Sequence, residues 1–349
     1  MFYRKLSASY LFAKQLTACV SAKYSPLRKI NVSVIGAANQ VGSNLAFLLK
    51  QNSQITKLDL HDDDAKVYGI GLELNDLPGG PQINVWSGDN TLDNAVRDSH
   101  LVMMVYRVPR RPGNTREQMI AANAPAVKKL CRSIAFQNPG AFLAIATNPL
   151  NAIVPFASAL LYKYNAYNPF KILGITHLDS VRARTTTAKA LGINPLDVSL
   201  PVIGGHSDQT IIPLFSNMVP NTNAIDPYQA ETLTRIIRKA GTEIVFQKYG
   251  KESATLSMAA ALNDFINQMK IALSGDEVVV NAYTANPNFG TRFFSGPTKV
   301  GPCGIVQTCH SFQLSDYESF LLNSAIPLLN RDVSMGEDYV RYIDFARKS

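Results

Sequence analysis

The chain has 349 residues, enough for one large core or about two domains. Hydrophobic residues make up 46% and charged residues 17%, and no apolar run approaches the roughly 20 residues a membrane helix needs, so a membrane span is not expected. The net charge of +8, from 34 basic and 26 acidic residues, invites a nucleic-acid reading, but the excess is concentrated at the N-terminus and no aromatic-studded RNA-binding strand accompanies it.

No Asp or Glu precedes Asp59, while Arg4, Lys5, Lys14, Lys23, Arg28 and Lys29 are interleaved with Phe2, Tyr3, Leu6, Tyr10, Leu11 and Phe12. A basic, Ser-containing, acid-free stretch of this kind reads as a mitochondrial transit peptide, assigned to residues 1–28; the other reading is a basic arm that stays attached. The four cysteines (Cys19, Cys131, Cys303, Cys309) have no zinc-type spacing, and no metal site is expected.

From Lys29 onward strand and helix patterns alternate. "INVSVIG" reads as a buried strand, "QVGSNLAFLLKQN" as a helix, "KLDLHD" as a strand and "YGIGLELNDL" as a helix. "HLVMMVY" and "AFLAIAT" are further strands, separated by the helical "REQMIAANAPAVKKLCRSIAF". Such alternation predicts an α/β fold with a Rossmann-type doubly wound parallel sheet over residues 29–173. Beyond Gly174 long helical patterns mix with strands such as "EVVVNAY" and "GIVQTCH", and a last helix opens on Ser315 with Glu318 placed for a capping box. Residues 174–345 therefore read as a second, mixed α+β domain.

The loop Gly36-Ala37-Ala38-Asn39-Gln40-Val41-Gly42 joins the first strand to the first helix. In a dinucleotide fold the first glycine makes the turn, the second admits the pyrophosphate and the third lets helix and strand pack closely. Here the middle position is Asn39, which tolerates the positive φ such a turn can need but places a side chain near the phosphates. Asp62 closes the second strand, where a carboxylate would bind the adenosine ribose and favour NAD over NADP. Lacking one glycine, the loop alone is equally compatible with a turn that holds no ligand.

Other residues carry chemistry. His206, in "GGHS", can serve as a base at neutral pH or as a structural loop histidine. Asp179 and Arg182 are three apart on one helix, so they either face one site or form a surface ion pair. Arg110 and Arg116 lie on a Pro- and Gly-punctuated segment that either closes over a substrate or is a solvated basic loop.

The ordered motifs "VPRRPGNTR", "TNPLN", "GITHLDSVRART", "PVIGGHSDQTIIPL", "AGTEIV" and "SATLSMA" together resemble the mitochondrial-type malate dehydrogenases, from about Lys29 to Tyr342. The resemblance implies NAD as cofactor, malate or oxaloacetate as dicarboxylate substrate, a homodimer, the mitochondrial matrix, and no nucleic-acid or membrane partner. It further implies that His206 accepts the proton, Asp179 orients it, and Arg182 clamps the carboxylate beside the reacting carbon. Arg110 would hold the distal carboxylate, Arg116 would polarise the carbonyl, and Asn148 would bond the substrate. Asn123, Ala146, Thr147, Asn148 and Met258 would line the nicotinamide side. The departures concern the cofactor: Asn39, Tyr106-Arg107 in place of a small pair, Glu252 for a glycine, and Asp208-Gln209 after the histidine. They leave open a weakly active or inactive relative retained as a structural or partner-binding protein.

Overall fold

The computed structural model describes residues 29–108, 115–221 and 225–345. The expected transit peptide, and Arg110, lie outside them.

Six strands form the first half of the sheet: β1 (Ile30–Ile35), β2 (Ile55–Asp62), β3 (Gln82–Ser87), β4 (Leu101–Met104), β5 (Phe142–Ile145) and β6 (Ile172–Ile175). They run parallel in the order β3-β2-β1-β4-β5-β6. Helices α1 (Gln40–Lys50), α2 (Lys66–Asn75), α3 (Leu92–Val96), α4 (Arg116–Gln137) and α5 (Leu150–Lys163) make the crossovers. Both faces are covered, so the central strands β4 and β5 are apolar at every position rather than alternating. In β4, Leu101 and Met103 join the core beneath α1 and α2, while Val102 and Met104 join the core beneath α4 and α5.

The second half adds α6 (His177–Leu191), β7 (Val202–Gly204), β8 (Ile211–Pro213), α7 (Pro227–Gln247), α8 (Leu256–Leu273), β9 (Val278–Ala285), β10 (Phe293–Gly301), β11 (Gly304–Thr308) and α9 (Asp316–Phe345). β9 pairs antiparallel with β6, and the sheet continues through β10, β7 and β8, with β11 hairpinned onto β10. α8 contributes Leu262, Phe265, Ile266 and Met269 to the core under α1, so the later helices also cover the earlier sheet. The capping box of α9 is present: Ser315 N–H donates to Glu318 Oε2 at 2.9 Å and Glu318 N–H to Ser315 Oγ at 3.3 Å. Among the described residues no helix is long and apolar enough to cross a membrane.

The parallel order reverses at β1, which has β2 on one side and β4 on the other. A crevice opens at the carboxyl ends of strands at such a switch point. The 36–42 loop leaves β1 there, Asp62 ends β2, Tyr106 and Arg107 follow β4, and Ala146–Asn148 follow β5.

Candidate active site

His206 follows β7, and Asp179 lies in the first turn of α6. Nδ1–H of His206 donates to Asp179 Oδ2 at 2.6 Å, and the carboxylate is 2% exposed. A carboxylate only accepts, so Nδ1 carries the proton and neutral His206 keeps its lone pair on Nε2. Burial works to lower the His206 pKa, but the charge and hydrogen bond of Asp179, with help from Asp208, outweigh burial and the opposing Arg182, and the net shift is upward. The backbone N–H of His206 donates to Asn151 Oδ1 at 2.7 Å, which anchors the loop as well as the ring. Arg182, one helical turn along α6, brings Nη1 to 4.0 Å from Asp179 Oδ1. Burial lowers its pKa against the pull of Asp179, and the guanidinium stays charged. Imidazole, buried carboxylate and guanidinium therefore converge. Asp179 is buried and Arg182 only partly exposed, so the pair does not lie on the open surface.

The other end of the crevice is built from the loop after β1. Gly36 has φ +98°, and a Cβ there would stand 2.4 Å from the Tyr106 Cα, so only glycine lets the two segments cross. A Cβ on Gly42 would meet the Gly36 carbonyl oxygen at 2.2 Å, which is the close helix–strand approach expected of the last glycine. Asn39 differs from the expectation. Its backbone is extended (φ −77°, ψ 164°), not left-handed, and its side chain caps α1. Oδ1 accepts from the N–H groups of Val41 (2.9 Å) and Gly42 (3.0 Å), while Nδ2 donates to the carbonyls of Gly36 (2.6 Å) and Val105 (2.9 Å). Asn is a preferred N-cap for this reason. The N–H of Ala38 donates to Asp62 Oδ2 at 2.9 Å. Three donors that face a pyrophosphate in such folds thus already have side-chain acceptors.

The remaining departures meet one another. Gln40 Nε2 hydrogen-bonds Glu252 Oε1, whose other oxygen accepts from Lys248 Nζ at 3.1 Å. Arg107 Nη1 donates to Ser253 Oγ at 2.5 Å, just before α8. The Tyr106 carbonyl accepts from Thr147 Oγ1 at 2.6 Å, and its phenol is pushed up by burial and then by the charges of Asp63 and Asp62, against Lys129. Tyr106 therefore sits on the Asp62–Asp63 side of the crevice.

The other expected residues are placed as follows. Asn123 is 2% exposed and its amide is engaged by backbone alone: Oδ1 accepts from Val108 N–H at 2.9 Å, and Nδ2 donates to Met119 and Asn148 carbonyls, each at 3.0 Å. It ties the segment after β4 to the Ala146–Asn148 turn rather than offering a free amide. Asn148 is exposed, Ala146 half-buried, and Met258 packs against the core under α1. Arg116 is ion-paired with Asp332 of α9, and Asp332 Oδ2 also accepts from Asn151 Nδ2 at 3.1 Å. Asn151 lies in "TNPLN" and Ser253 opens "SATLSMA", so both sit within sequence motifs, whereas nothing in the sequence marks Asp332. Among the described residues no group of three or more His, Cys, Asp or Glu is placed to hold a metal.

Residues 30–174 match the lactate/malate dehydrogenase NAD binding domain, and residues 176–340 match the lactate/malate dehydrogenase alpha/beta C-terminal domain. The chain is 35% identical over 311 residues to the mitochondrial malate dehydrogenase of Caenorhabditis elegans, covering 89% of this chain and 91% of that one. Its fold is similar to the crystal structure of Cryptosporidium parvum malate dehydrogenase, with a TM-score of 0.75 and 26% identity over 89% of this chain and 99% of the other. It is also similar to a lactate dehydrogenase from the same organism complexed with lactic acid and nicotinamide adenine dinucleotide, with a TM-score of 0.75 and 23% identity over 89% and 98% of the two chains.

Proposed function

Since the chain belongs to the lactate/malate dehydrogenase family and has that family's NAD-binding domain, we propose that it is a malate dehydrogenase that interconverts (S)-malate and oxaloacetate. The observation that carries this reading is the 2.6 Å His206–Asp179 pair with Arg182 beside it. In malate oxidation His206 Nε2 takes the hydroxyl proton, and Asp179 fixes the ring and stabilises the imidazolium that forms. Arg182 clamps the carboxylate next to the carbinol carbon through paired N–H bonds. NAD, when bound, accepts the hydride that leaves this carbon. Gly36 and the rest of the 36–42 loop, Asp62 and the Ala146–Asn148 turn hold the cofactor, with Met258 on its nicotinamide side. The crossing of Gly36 under Tyr106 fits a dinucleotide path, although Asn39 alters its phosphate end.

Substrate choice between malate and lactate rests in this reading on Arg110, which neutralises the distal carboxylate; Asn148 bonds the substrate. A buried carboxylate deprived of its guanidinium costs several kcal/mol. Arg110→Gln should therefore lose oxaloacetate reduction far more than pyruvate reduction, and equal losses would refute the assignment. Arg116 polarises the carbonyl only after exchanging Asp332 for substrate.

A second reading, a relative with little turnover kept for a structural role, is favoured by the Asn39 cap and the Gln40–Glu252 contact. Steady-state oxidation of NADH by oxaloacetate separates the two: turnover supports the enzyme, and its absence at millimolar NADH supports the second.

The acid-free N-terminus and the naming of the C. elegans relative support the mitochondrial matrix as destination, which a reporter carrying residues 1–30 tests by its location. Half-exposed Phe47 on α1, with Tyr68 and Leu72 one turn apart on α2, supports a homodimer, and sedimentation at the monomer mass would exclude it. In this reading residues 29–173 are the NAD-binding domain and 174–345 the catalytic domain, a division in keeping with the matched family domains.

A further inference from the structure

We propose that in this chain Arg107 holds the pyrophosphate of the dinucleotide, in place of the backbone N–H groups at the start of α1. The proposal deepens the reading above and rests on it. A pyrophosphate carries two negative charges and is ordinarily met by N–H groups at a helix N-terminus. Here the N–H groups of Val41 and Gly42 are already bound by Asn39 Oδ1, and that of Ala38 by Asp62. A phosphate oxygen arriving at this turn finds those donors spent.

Arg107 stands where the missing charge is needed. The backbone of Tyr106 crosses directly against Gly36, which makes Arg107 the next residue out along the segment leaving β4. Its side chain spans the crevice to Ser253, the residue at the foot of α8, and Nη1 reaches Oγ at 2.5 Å. The guanidinium thus bridges the two walls between which the dinucleotide runs. It is partly buried, and burial lowers its pKa without an acidic neighbour to offset the effect. No carboxylate lies within ion-pair distance of it among the described residues.

The nearest acid in sequence to its partner, Glu252, has both carboxylate oxygens engaged, by Gln40 and by Lys248, and so does not compete. A partly desolvated cation whose partner is one neutral hydroxyl gains from an anion, and a guanidinium presents five donors in a fork that matches phosphate. On binding, a phosphate oxygen would take the place of Ser253 Oγ.

The test uses the whole chain and measures binding by NADH fluorescence and by calorimetry, with ADP-ribose as a ligand that has the pyrophosphate but no nicotinamide and adenosine as one that has neither. Arg107→Met should weaken NADH and ADP-ribose roughly tenfold to a hundredfold and leave adenosine unchanged. Arg107→Lys, which keeps the charge but not the fork, should recover part of the loss. Raising the salt concentration should weaken NADH binding to the parent protein more than to Arg107→Met, both having the same melting profile. If Arg107→Met binds NADH as well as the parent or better, the side chain is an obstacle and the proposal is wrong, while the dehydrogenase reading stands. If the parent binds neither NADH nor ADP-ribose at millimolar concentration, the proposal and the reading beneath it fail together.

Discussion

At the His206 end of the cleft, the polar groups face one another in sequence: imidazole, buried carboxylate and guanidinium, at 2.6 and 4.0 Å. At the loop end, side chains occupy positions where glycine would leave room, and they bond the backbone or one another: Asn39 with Val41, Gly42, Gly36 and Val105, Gln40 with Glu252, Arg107 with Ser253. On the proposed reading, one cleft keeps the groups for proton transfer while its grip on the cofactor is rebuilt from side chains. Proton transfer depends on a few atoms within hydrogen-bond reach, so it tolerates no substitution among them. Phosphate binding depends on charge and donors that can come from backbone or side chain alike, so it can change hands.

Separability of the two ends is the first thing to break. His206→Asn removes the base and should lower oxaloacetate reduction by about a hundredfold to ten-thousandfold while NADH binding stays within about twofold. A parallel loss of NADH affinity, read by fluorescence titration, would mean that the ends are one unit.

A second experiment sharpens the acid–base end alone. Asp179 raises the His206 pKa, so in the proposed reaction malate oxidation, which would need neutral His206, should set in at a higher pH than an unperturbed imidazole would allow. With Asp179→Asn the charge is gone and the pKa falls. The acid limb of malate oxidation should then move to lower pH, as should the alkaline limb of oxaloacetate reduction, which needs the protonated form. Turnover should fall as well, because the ring loses its orienting partner. A pH–rate profile in which both limbs stay in place would show that Asp179 acts on position only.

The smallest effect is expected at the loop. Asn39→Gly frees the Val41 and Gly42 N–H groups and should tighten NADH about fivefold, the equivalent of roughly 1 kcal/mol for a neutral hydrogen bond. The same change removes the cap and the two bonds to Gly36 and Val105, so stability in urea should drop by about 1–2 kcal/mol. Tighter binding at lower stability would mark the cap as a trade between fold and ligand; unchanged binding would show that the phosphates do not use these donors.

The sequence by itself determined the alternation of β1, α1 and β2, the parallel sheet and the capping box of α9, and it singled out His206, Asp179 and Arg182 as candidates. Those are local signals: apolar runs of strand length, a Ser and Glu three apart, rare residue types in a polar turn. β3, β6 and β10 were not recognised. β3 is only half-buried and carries Gln82, Asn84 and Ser87, and β10 contains Gly296, Pro297 and Gly301, so neither has the continuous apolar pattern of a central strand. The antiparallel pairing that extends the sheet from β6 through β9 joins residues more than a hundred positions apart, and nothing local encodes it.

Only the tertiary structure decided what Asn39 does. Its residue type is compatible with a positive-φ turn or an N-cap, and the choice follows from the Val105 carbonyl brought within 2.9 Å by the β1–β4 pairing. The same holds for Asp332, whose burial between Arg116 and Asn151 depends on α9 packing across α5, and for Arg107, whose partner is 146 residues away. A side chain's chemistry is written in the sequence. Its partner is set by which chain segments the fold brings within about 3 Å of it.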